Sequence, residues 1–182
     1  MNTSAHLQTI HRGSRFLTWF CLLAAFLWPL VSLGWVWMAP EAELFSTFGV
    51  PPPVGAIVVL KAGQRLLVAT LNLVPILAAS IGLWALRRCF LLFSAGEFFS
   101  VRTIGSLRRF SGWTFCYTAL GLIFQPLTML AVTFRFPEGQ HLALISFGPQ
   151  QVHALLLAGT VWVIAGAMTE AGCLADENAQ FV

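Results

Sequence analysis

The sequence predicts an all-α membrane protein, a four-transmembrane-helix bundle built as a single domain over residues 1–182. Three observations carry that expectation. Hydrophobic residues make up 58% of the chain and charged residues only 9%, whereas a soluble domain carries roughly 45–50% apolar and about 25% charged residues. Four runs reach the ~20 apolar residues that a helix needs to cross about 30 Å of hydrocarbon. None shows the period-2 alternation of a barrel strand, and helices or closed barrels are the structures that satisfy their backbone groups in lipid. With so few charges the chain cannot clothe a soluble body, which argues against a soluble enzyme, a disordered tail or a nucleic-acid-binding module.

The spans are placed at about 16–38, 66–86, 112–134 and 154–174. The first follows Arg12 and Arg15, as a signal peptide would. Its apolar core is longer than a signal core, and no small-residue cleavage site follows Trp35, Trp37 and Met38, so it reads as an uncleaved helix. Cleavage would leave three spans. Orientation follows from the basic residues: Arg12, Arg15, Arg87, Arg88, Arg102, Arg108 and Arg109 fall on one side, and Lys61, Arg65 and Arg135 on the other. Seven against three places both termini and the central loop in the cytoplasm. Trp19, Trp84 and Trp113 then mark the inner interface and Trp35 and Trp37 the outer one, while Trp28 and Trp162 fall mid-span as packing residues. Cys21, Cys89, Cys116 and Cys173 all group toward the inner side, where thiols stay reduced. No C-x-x-C spacing occurs, and the four histidines divide between the two sides, so no metal is expected.

The first outer loop, 39–65, contains Pro51-Pro52-Pro53, a stiff polyproline stretch, followed by the β-rich run Ala56–Leu60. The second outer loop holds a comparable run at Leu142–Ile145. The two runs are able to pair as a small β cap, with interfacial coil as the alternative. Ser146 and Gly148-Pro149 signal the start of the fourth helix. In the inner loop, Gly96 ends the second helix and Ser100 caps a helix that continues into the third span. That helix should project two to three turns beyond the bilayer, with an apolar stripe of Val101, Ile104 and Leu107 and with Arg102, Arg108 and Arg109 displaced from it. Arg102 and Arg108 form a lipid-facing basic elbow, either as a recognition surface or as ordinary positive-inside anchoring. A short echo, Arg15-Phe16-x-x-Trp19 against Arg109-Phe110-x-x-Trp113, is compatible with two parallel hairpins or with shared interfacial anchoring.

The elbow Leu92-Phe93-x-x-Gly96-x-Phe98-Phe99-Ser100, with Ile104-Gly105-x-Leu107-Arg108 downstream, and the tail from Glu170 to Val182 together resemble a family. It is the group of small bacterial four-helix membrane proteins known as domain of unknown function 2975. The resemblance covers most of the chain, the first span and first outer loop contributing little. It implies a bacterial inner-membrane protein and supplies no activity, catalytic residue or cofactor.

Polar groups inside hydrocarbon are the default functional candidates. Asn72 lies just before Pro75, Gln125 precedes Pro126, and Thr160 sits at a similar depth in the fourth span. The three are expected to meet as an intramembrane polar cluster, serving either as helix–helix glue or as a small cavity for a ligand or solute. Glu170, the one carboxylate placed in a span, is expected to pair at the inner surface with Arg87, Arg88 or Arg109. Asp176 and Glu177, just beyond the expected helix end, are either a solvated tail or a contact for the inner arginines or a partner. No catalytic constellation, phosphate loop or histidine pair is present. The sequence therefore reads as a non-enzymatic accessory or regulatory membrane protein without cofactor. Its expected partners are membrane lipids, with a protein partner or a second copy of the chain, and no nucleic acid. The alternative is a small transporter or channel subunit using the Asn72–Gln125–Thr160 level.

Overall fold

The computed structural model describes residues 3–51, 59–97, 99–136 and 143–180, with side chains described between Gly13 and Leu174. Among these described residues five helices follow one another: α1 (Thr3–Met38), α2 (Glu41–Thr47), α3 (Ala62–Ser94), α4 (Val101–Thr133) and α5 (Pro149–Gln180). Four stretches of the described residues are long and apolar enough to cross a membrane: Gly13–Met38, Ala62–Ser94, Val101–Thr133 and Pro149–Leu174. The 33 residues of α3 and of α4 correspond to about 50 Å at 1.5 Å per residue, well beyond the ~30 Å of a hydrocarbon core. Both helices are therefore longer than an untilted crossing requires.

The long helices pack in chain order. The substantial contacts are α1 with α3, α3 with α4, and α4 with α5. One end of the bundle carries α2 and the other carries the elbow between α3 and α4. Gly82 lets α3 lie close against α4, where an added Cβ would lie 3.3 Å from the Trp113 Cβ. On the outside, Phe16, Leu30, Val31, Leu66, Ile123 and Val163 are exposed, an arrangement that suits lipid rather than water.

The main cluster of buried apolar side chains lies at the α2 end. Val36 from α1, Val68 and Ala69 from α3, and Met129 and Val132 from α4 form it. Leu44 and Phe45 of α2 are buried over that end, and the Phe45 ring meets Phe136 edge-on at 5.5 Å. This short helix replaces part of what reads as a plain loop. It starts after Pro40 with Glu41 and Glu43 in the first turn, where acids favour the helix dipole. It ends in Gly49 at φ +68°, with the Val50 N–H donating to the Phe45 carbonyl at 2.8 Å, the left-handed stop that glycine permits.

The β cap does not form among the described residues: Val59, Leu60 and Ala143–Ile145 carry no strand, while Ala56–Val58 and Leu142 lie outside them, as do Pro52 and Pro53. The other loop signals behave as expected. Ala95 and Gly96 (φ +83°) end α3, and the Ser100 side chain accepts from the Thr103 N–H at 3.2 Å to cap α4. Gly148 precedes α5, whose first residue is Pro149. The Gly148 N–H donates to Gln151 Oε1 at 2.9 Å, the return arm of a capping box. One expectation at the far end is corrected. The helix does not stop near Leu174 but runs to Gln180, so Asp176 and Glu177 belong to its last turns; their side chains lie outside the described ones.

Candidate functional site

Proline shapes the middle of α3 and α4. Pro75 and Pro126 lack the N–H that would bond four residues back, which frees carbonyls inside the helices. Beside them lies a cavity of about 270 Å³ lined by Asn72, Pro75, Tyr117, Gln125 and Thr128, with Trp28 of α1 forming part of its wall. The Thr128 hydroxyl is occupied, donating to the Phe124 carbonyl at 2.9 Å. The Gln125 Oε1 is buried without a hydrogen-bond partner among the described residues. A buried amide oxygen left unmatched costs about 1–3 kcal/mol, so this level of the bundle holds unused hydrogen-bonding capacity. Neither carboxylate nor imidazole lines the cavity. It is suited to a neutral hydrogen-bonding group rather than to proton relay.

Asn72 and Gln125 thus line one cavity, as the sequence suggests, but Thr160 does not join them. It is exposed on α5 and lines a separate groove with Phe147, Leu156, Val163 and Ile164. The reason is topological: α5 packs on α4 and makes no substantial contact with α3. The α4–α5 seam is made instead of small residues, with Ala158 and Ala165 buried. The Ser111 hydroxyl donates across it to the Ala158 carbonyl at 2.6 Å.

At the elbow end the expected ion pairs are absent among the described residues. Glu170 is exposed and bonds to none of Arg87, Arg88 or Arg109. Aromatic rings take up the arginines. The Arg87 guanidinium carbon lies 5.2 Å from the Trp84 ring centroid, and its Nε is buried without a partner. Arg108 lies 5.9 Å from the Trp162 centroid, and its Nη2 donates to the Thr169 hydroxyl at 3.3 Å. Trp162 is therefore an arginine platform rather than a mid-span packing residue. Arg88, Arg102 and Arg109 are left exposed. The elbow itself is rigidly tied. Thr103 is fully buried, and its hydroxyl donates to the Glu97 carbonyl at 2.6 Å.

No protein-family model, curated protein or solved structure matches the chain.

The best-formed polar constellation is one that the sequence reading passes over. At the first turn of α3, Arg65 Nη1 donates to the carbonyls of Val36, Trp37 and Ala39 at the end of α1, at 3.1, 2.8 and 3.3 Å. Its Nη2 pairs with Glu41 Oε1 at 2.8 Å. The neighbouring Gln64 Nε2 donates to the carbonyls of Ala131 and Val132, at 2.8 and 3.0 Å, near the end of α4. One turn of α3 therefore caps two antiparallel neighbours whose carbonyls would otherwise be orphaned. The Glu41 carboxyl is held below its ordinary range, first by its own backbone N–H at the helix start, then by the Arg65 hydrogen bond. A signal existed in the sequence. A cation in the first turn opposes its own helix dipole, yet suits the carbonyl ends of the helices on either side.

Proposed function

We propose that the chain is a non-enzymatic protein of the bacterial inner membrane, an accessory or regulatory component that acts through protein and lipid contacts, with both termini in the cytoplasm. The likeness to the domain of unknown function 2975 family belongs to this reading, supported by the elbow and tail residues. The observation that carries it is the uncovered face of α5. Thr160 is exposed there, beside Gly159 and between Leu156 and Val163. A hydroxyl in hydrocarbon gains from a partner, and an adjacent glycine lets a second backbone come close, the combination found where membrane helices associate. The test replaces Cys21, Cys89, Cys116 and Cys173, introduces Thr160→Cys, and treats native membranes with a bifunctional thiol reagent. A crosslinked species heavier than the monomer is expected, while Leu77→Cys on exposed α3 surface stays monomeric. Monomer alone at both positions refutes the reading.

A second reading, a small transporter or channel subunit, draws on the cavity shared by Asn72 and Gln125 and on the unmatched Gln125 oxygen. It requires water at that level. Asn72→Cys and Gln125→Cys, in the cysteine-free background, should then react with a water-soluble thiol reagent; full protection of both rejects it.

A further inference from the structure

A groove of about 630 Å³ runs between α3 and α4 at the α2 end. Its walls are apolar, Leu67 and Leu71 from α3 facing Leu127 and Leu130 from α4, and its mouth carries Lys61 and Arg135. Both cations are exposed. Neither makes an ion pair among the described residues, where the acid at this end that does so, Glu41, is committed to Arg65. The N-terminus of α3 opens on the same mouth. Lys61 gives it no side-chain cap, and Gly63, which lines the groove, has open space where a Cβ would stand. The free first-turn N–H groups of a long helix favour an anion. Positive charge above and hydrocarbon walls below match an amphiphile with an anionic head.

Depth identifies the source of that anion. From Lys61 to Leu71 the helix rises about 15 Å, a length comparable to one leaflet's half of the ~30 Å hydrocarbon thickness. A free phosphate would use only the mouth and leave the leucine walls without a role. We infer that this groove binds one anionic phospholipid, its phosphodiester between Lys61 and Arg135 and an acyl chain along the leucines. The site is separate from the uncovered face of α5 and from the Asn72–Gln125 cavity, and it holds whichever of the two functional readings is correct.

The experiment uses the full chain in nanodiscs of mixed phosphatidylglycerol and phosphatidylcholine, extracted and weighed intact to count retained lipid. Phosphatidylglycerol should be retained in preference to phosphatidylcholine. At about fivefold for each basic residue near an anionic head, Lys61→Gln with Arg135→Gln should weaken that retention roughly 30-fold. Arg88→Gln with Arg102→Gln removes the same charge from exposed positions at the elbow and should leave it unchanged. Leu127→Trp fills the groove without altering charge and should lower retention of both lipids, and millimolar inorganic phosphate should fail to displace the lipid. Circular dichroism and a monodisperse elution profile check that each variant is folded. Equal loss in the elbow variant, undiminished retention in the mouth variant or in Leu127→Trp, or full displacement by phosphate would each overturn the inference.

Discussion

Arg65 shows how much one side chain can carry at the end of a membrane helix. Its guanidinium meets three carbonyls of α1 and one carboxylate, and its side chain is only 14% exposed. A hydrogen bond to a charged group contributes about 1.5–3 kcal/mol net, and the four bonds that share this one guanidinium do not add. Arg65→Gln should therefore destabilise the α2 end by about 2–3 kcal/mol, read as lost resistance to denaturant in detergent. Arg65→Lys should recover only part of this, because an ammonium lacks the planar fork that serves several acceptors at once. Glu41 adds a pH dependence. Its carboxyl titrates lower in the folded protein than in the unfolded chain, so its contribution is fully present above the ordinary glutamate range. It is lost as pH falls through the lowered folded value. Glu41→Gln should remove that component of acid sensitivity while leaving thermal stability at pH 7 within about 1 kcal/mol of the parent, the usual size for a partly exposed pair.

Among the elements, the elbow and the α3–α4 seam admit direct tests. Ser100→Ala deletes the cap on α4 and should cost about 1 kcal/mol. Gly82→Leu drives a side chain into the Trp113 Cβ position and should cost about 1–3 kcal/mol through overpacking; both are measurable by thermal unfolding in detergent. The four spans, the Gly96 stop, the Ser100 cap and the Gly148-Pro149 start were all legible, because each rests on local hydropathy or on backbone chemistry confined to a few residues. The helix α2 was not. Its signals, Pro40, two early acids and Gly49, are weak individually, and its seven residues gain their order from burying Leu44 and Phe45 against distant α4 and its flank. The β-rich runs misled for the complementary reason: β propensity expresses fit to a neighbouring strand, and among the described residues no strand stands beside Leu60 or Leu144. At the candidate site the sequence placed Asn72 and Gln125 at one level but set Thr160 with them, since depth along a helix is readable and the direction of its packed face is not. Arg87, Arg88 or Arg109 was expected to seek Glu170, and Arg102 and Arg108 to face lipid. Arg87 lies over Trp84 instead, and Arg108 lies over Trp162.

At the scale of the whole molecule, the proposed orientation predicts that a reporter active only in the cytoplasm will be active when fused after Val182 and inactive when inserted near Pro51. The reverse pattern would invert the topology drawn from the ten basic residues. The order of packing, α1 to α3 to α4 to α5, has a further consequence for biosynthesis. Each long helix meets its principal neighbour as soon as the next long one is made, so the contacts are sequential and assembly can keep pace with translation. The cap supplied by Gln64 and Arg65 makes that sequence directional. Arg65 completes the end of α1 once α3 emerges, and Gln64 then waits for the end of α4. A nascent chain released after Phe136 should already hold the α2 end closed and resist protease there, while one released before Ala62 leaves α1 with an open terminus. The last helix is added to a finished frame.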